Sequence, residues 1–208
     1  MNKKTKPSGT ERAKRKYRDN LYTAHRYVLY NYWWQFLKIA YEEKRKVNMK
    51  KYEDWGKLDE IFSQSFTTWW NKNWKKLFAE KTASDRTSKF IMTTEATNPN
   101  SIKLALETYR LKTAFKKLKG EKELTTEIIS KVLPKKFKSS AKEMMDKKKY
   151  SYTKCDENRF IIDFFFHHFP EDDTLRFEKE NKYNNRALKK LHKQAETILD
   201  NVCDCKFP

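Results

Sequence analysis

The sequence comes nearest to catalysis at Pro170, Glu171, Glu180 and Lys182. These suggest the acid-and-lysine set of metal-dependent nucleases, in which carboxylates hold a cation and a lysine supports the attacking water. Those centres draw their groups together from a sheet, whereas here all of them fall in segments of helical pattern. A divergent nuclease is therefore the weaker reading, and no catalytic residue is assigned. His167 and His168 stand close to Asp172 and Asp173, but neighbours on a helix point about 100° apart and do not readily meet one ion. Cys155, Cys203 and Cys205 lack the paired Cys-x-x-Cys spacing of structural zinc. Neither a Gly-rich phosphate loop nor a nucleophile elbow is present. No metal and no cofactor is assigned.

Cationic side chains are the more informative set. From Arg186 onward, Leu188, Leu191, Ala195, Ile198 and Val202 recur at helical spacing, while Arg186, Lys189, Lys190 and Lys193 fall on the opposite side. A helix divided in this way can pack on one face and lie against phosphates with the other. A second basic region runs from Lys112 to Lys154, with fourteen lysines against five acids. Its candidate contacts are Lys135, Lys136, Lys138, Lys142, Lys147, Lys148 and Lys149. A third is the N-terminal arm, where Arg12, Lys14, Arg15 and Lys16 lie in a stretch with almost nothing to bury.

The whole chain of 208 residues carries 47 Lys and Arg against 28 Asp and Glu, a formal charge of +19. Self-repulsion on that scale is relieved by a polyanion. Nucleic acid is the expected partner, DNA ahead of RNA, bound through its backbone. The alternative is a structural or adaptor subunit, of a phage particle or a defence complex, that meets an acidic protein surface. A membrane is not expected: Phe160 to Phe169 is the nearest candidate and falls far short of the ~20 apolar residues of a spanning helix. Met1 to Arg18 lacks the apolar core of a signal peptide, and three cysteines at these positions suggest no disulfide framework. The expected setting is the cytoplasm.

The elements that must position these groups are helices. Three Gly and five Pro are too few for a many-stranded sheet, and aromatics at 15% give ample area to bury. The expected fold is all-α, in two packed helical lobes: a flexible basic arm 1–18, an aromatic-rich lobe 19–81, a linker 82–100 and a basic lobe 101–208. Two places admit a short hairpin, 88–95 and 150–160. In the first lobe, one helix from Leu21 is apolar on two sides, and a second runs through Leu58, Phe62, Phe66, Trp69, Trp70, Trp74 and Leu77. Most of these aromatics should be core; Tyr17, Tyr22 and Tyr27, near Arg18 and Arg26, are the ones left for stacking on bases.

In the second lobe, Asn98-Pro99 starts a helix that reaches Lys119, Thr125 caps a short one closed by Pro134, and Ser140 with Glu143 matches a capping box. Helices at 125–133 and 140–149 would have the outline of a helix-turn-helix, with a connection longer than that motif's tight turn. Phe160 to Phe169 reads as a buried helix. Pro170 with Glu171, Asp172 and Asp173 begins another, and Asn184 or Asn185 caps the last.

Two patches resemble a group of bacterial and mobile-element helical proteins that has no assigned activity. The first is Tyr32, Trp33, Trp34, Phe36, Leu37 and Lys38 with Trp69, Trp70, Leu77 and Phe78. The second is Ala187 to Pro208, ending on Asn201, Val202, Phe207 and Pro208. About a third of the chain is covered, and Cys205 stands where the group usually has Gly. The resemblance implies a helix-turn-helix-like C-terminal part that binds DNA around Arg186 to Lys193, in a bacterial or phage setting such as mobile-element control or defence.

Overall fold

A computed structural model describes residues 27–77, 98–118, 123–147, 152–153, 157–168 and 184–208. Those residues are predominantly helical, and the fold is all-α. The chain divides into two compact units, one formed by Met1–Ile91 with Val202–Phe207, the other by Met92–Asn201 with Pro208.

In the first unit, helix α1 (27–42) buries Leu29, Tyr30, Trp33, Trp34, Phe36, Leu37 and Ala40, which occupy more than one side of the helix. Lys44 ends it in a left-handed conformation (φ 56°), which lets its own amide reach the Tyr41 carbonyl and the Arg45 amide reach that of Ala40. The charged stretch that follows holds a 3-10 helix, Met49–Trp55, which puts Tyr52 and Trp55 into the core. Gly56 (φ 104°) then turns the chain into α2 (Leu58–Phe62).

The second aromatic helix expected from the sequence is two helices. α2 stops at Phe62, and α3 (Phe66–Leu77) begins where the Ser65 hydroxyl accepts the Thr68 amide at 3.1 Å. Serine competes well for a free first-turn amide, and a cap at Ser65 lets the chain bend so that Ile61, Phe66 and Trp69 are all buried. Tyr27 packs against Phe66 and Trp70 with its hydroxyl 2.8 Å from that of Thr67, so its ring belongs to this packing and is not a free stacking surface. Tyr17 and Tyr22 lie outside the described residues.

The segment Val202–Phe207, which the sequence reading groups with the second lobe, completes this first core. Phe207 is fully buried, stacked 5.5 Å from Trp33 with Phe36 at 6.4 Å. Tyr52 accepts the Trp33 indole N–H at 2.8 Å and donates to the Val202 carbonyl at 2.6 Å, so one phenol ties α1 to the tail. Burial pushes that phenol far above its ordinary range.

The second unit is organised around α4 (Pro99–Lys116). Asn98 caps it by accepting the Asn100 amide at 2.9 Å, with Pro99 in the first turn as expected. α4 is buried nearly all round, from Ile102 to Phe115. Thr125 caps α5 (Thr126–Val132), accepting the Ile128 amide at 3.3 Å.

The next element departs from expectation. α6 runs Lys135–Lys147, joined to α5 by Leu133 and Pro134 alone. A proline next to the first turn loses no bonded amide, so the helix starts at once and the capping box at Ser140 does not form. Ser140 instead sits within α6, its hydroxyl 2.8 Å from Nδ1 of His168. α7 (Glu157–His168) buries Phe160, Ile161, Phe164 and Phe165. In the candidate hairpin 150–160, residues 157–160 belong to α7, and of the rest only 152–153 are described. Those two pair antiparallel with 123–124, the only ladder among the described residues. The other candidate hairpin, 88–95, and the segment 169–183 fall outside those residues.

Candidate nucleic-acid interface

Helix α8 (Asn184–Cys203) carries the surface that stands out by charge. Leu188, Ala195, Ile198, Leu199 and Val202 are buried, and Leu191 is half-buried. At about 100° per residue these fall around one side, while Arg186, Lys189, Lys190 and Lys193 occupy an arc on the other. All four cations are exposed, and no acid lies between Asn184 and Gln194. Further along the same arc come Glu196 and Asp200, so the positive face is confined to the N-terminal half.

The sequence did not reveal what lies beside that arc. Lys189, His192, Lys193 and Glu196 of α8 line an open recess of about 360 Å³ together with Lys112 of α4. The His192 ring rests against Tyr109 at 5.6 Å, and Ser101 donates to Gln194 at 3.1 Å, which fixes the register of the two helices. Burial holds the His192 imidazole below its usual range; the Lys112 and Lys116 ammonium groups push the same way, while Glu196 opposes them. The recess is thus lined by three lysines, a histidine and one carboxylate, Glu196, a net positive set suited by charge to an anion.

The lysines of α6 divide by what they already hold. Lys136 binds the buried carboxylate of Glu107, which also takes Arg110 at 3.3 Å, so its charge is committed within the unit. Lys147 pairs with Glu143 at 2.7 Å, one turn back. Lys135, Lys138 and Lys142 recur at helical steps on the outer side, Lys135 and Lys142 exposed and Lys138 half-buried. Lys148 and Lys149, the arm residues Arg12, Lys14, Arg15 and Lys16, and Glu171, Glu180 and Lys182 lie outside the described residues.

The structure thus brings Lys112 to Lys189 and Lys193, ties Lys136 and Lys147 to acids, and adds His192, which sequence reading passed over. Its only sequence signal was a position on the flank of the apolar stripe, one turn before Glu196. No helix among the described residues is long and apolar enough to cross a membrane. No protein-family model, curated protein or solved structure matches the chain.

Proposed function

We propose that this protein binds nucleic acid, duplex DNA in preference to RNA, by gripping the phosphate backbone, and carries out no chemistry of its own. The observation that carries the reading is the positive arc of α8 beside the recess it shares with α4. Five cations from two helices, Arg186, Lys189, Lys190, Lys193 and Lys112, are exposed or half-exposed there. A lysine of the neighbouring helix lines the recess beside this face, which a merely solvated face does not require. Phosphate contacts of this kind position a protein without reading bases, so binding is expected to vary little with sequence. Lys135, Lys138 and Lys142 of α6 offer a second line of contact. The setting, bacterial or phage and concerned with mobile-element control or defence, rests on the resemblance noted above.

The test is a fluorescence-anisotropy titration with a short duplex across a range of salt. Five phosphates neutralised give a slope of log affinity against log salt of about −4.5. A slope near zero, or a preference for an acidic protein over duplex DNA at equal charge, would refute the reading.

A further inference from the structure

We propose that His192 is a proton-linked ligand of the recess between α4 and α8: a backbone phosphate seated among Lys112, Lys189 and Lys193 draws a proton onto the imidazole, so that binding and protonation reinforce each other. The inference rests on the nucleic-acid reading and specifies how one phosphate is held.

The geometry sets the coupling. His192 lines the same recess as the three lysines, and its ring is half-buried with one side against Tyr109. From α4 it is faced by Tyr109, Lys112 and Lys116, and along α8 by Lys189, Lys193 and Glu196. With the recess empty, burial and the neighbouring ammonium groups both disfavour the imidazolium, and Glu196 alone among these favours it. A phosphodiester there inverts the balance. Its negative charge offsets the lysines, and the protonated ring gains a charge-assisted N–H···O bond that a neutral ring supplies less strongly.

The sign follows from linkage. The empty site has the lower imidazole pKa and the filled site the higher, so affinity rises as pH falls through the filled-site value and levels off below the empty-site value. Lysine ammonium groups and phosphodiesters keep their charge throughout that window, so contacts made by lysine alone contribute no slope there. A histidine that only packs against Tyr109 contributes none either.

The experiment compares the full chain with His192→Gln and His192→Lys, titrated with a fluorescein-labelled duplex at constant ionic strength from about pH 8 to about pH 5.5. Proton-linked binding of this kind is expected to make affinity about tenfold tighter at the acid end. The native chain should show that gain. His192→Gln should lose most of it, and His192→Lys should bind tightly at every pH with a flat profile. Calorimetry at about pH 6.5 in buffers of differing ionisation enthalpy should show proton uptake in the native chain and not in His192→Gln. Superimposable pH profiles for native and His192→Gln overturn the proton link while leaving the nucleic-acid reading intact. Failure of the native chain to bind the duplex at low salt overturns both.

Discussion

Replacing Lys189 and Lys193 together by alanine separates a phosphate-binding arc from a solvated one. Both side chains are exposed, on the side of α8 opposite Leu188, Ala195 and Ile198, and both line the recess with Lys112. Neither substitution opens a cavity, and alanine is the better helix former, so helix content should be unchanged. If each lysine neutralises one phosphate, the salt slope should become shallower by about 1.8. Taking the electrostatic contribution as vanishing near molar salt, each contact supplies about 0.7 log units at about 0.15 M, so the double variant should bind about 30-fold more weakly, a loss of about 2 kcal/mol. The two binding curves should converge as salt approaches about 1 M. Anisotropy with one duplex at five or so salt concentrations reads both quantities. Lys57→Ala serves as control, since its exposed ammonium lies in the first unit and pairs with Glu60 at 3.5 Å. Parallel salt plots for the native chain and the double variant would refute the argument, even if affinity fell, because a loss without a change in slope is not a lost phosphate contact.

Other consequences are independent of any ligand. Phe207→Ala removes a fully buried ring stacked on Trp33 and should destabilise the first unit by about 3–5 kcal/mol, read from urea denaturation followed by tryptophan fluorescence. Thr125→Ala leaves the Ile128 amide uncapped and should lower stability by about 1 kcal/mol, with Thr125→Ser close to native in the same assay. Burial between α6 and α7 holds His168 below its ordinary range, with Lys136 and Lys103 adding to the effect and Glu107 opposing it. Its folded-state value is thus the lower one, so its contribution is complete above the unfolded value near 6.5 and declines as pH falls towards the folded value. The urea midpoint of the native chain should drop between about pH 7.5 and about pH 5.5, and His168→Asn should drop less; equal drops would place the acid sensitivity elsewhere.

Periodicity revealed those elements whose fate is decided within their own sequence. The buried run around Phe160 and Phe164, the Asn98-Pro99 start, the Thr125 cap and the divided faces of α8 are all local patterns, and each is where the sequence places it. Elements decided by distant partners were not visible. The 3-10 helix Met49–Trp55 looks like charged linker until Tyr52 is seen between Trp33 and the Val202 carbonyl. Phe207 has no local reason to be core; its reason is Trp33. Ser140 and Glu143 fit a capping box by spacing, yet Pro134 had already supplied a helix start five residues upstream, and the earlier start also buries Phe137 against Phe164.

The same division explains why the candidate site was only half legible. Both the apolar stripe and the basic arc belong to α8, so counting residues was enough to separate them. The cations that join them depend on register between helices, and α4 offers no periodic clue because it is buried nearly all round. Nothing in the order of residues distinguishes Lys112, which reaches the recess, from Lys136, which is spent on Glu107. Net charge is therefore a poor guide to a binding surface. Of the α6 lysines named as contacts, two are held by carboxylates of this same chain, and pairing of that kind removes charge from the interface without changing the count. A charge-reversal scan should accordingly be uneven: Lys142→Glu should weaken duplex binding by several-fold through repulsion at an exposed position, whereas Lys136→Glu should first lower stability, because it sets a second carboxylate against the buried Glu107. Native-like stability in Lys136→Glu would show that the Glu107 pair does not organise the unit and would return Lys136 to the list of free phosphate contacts.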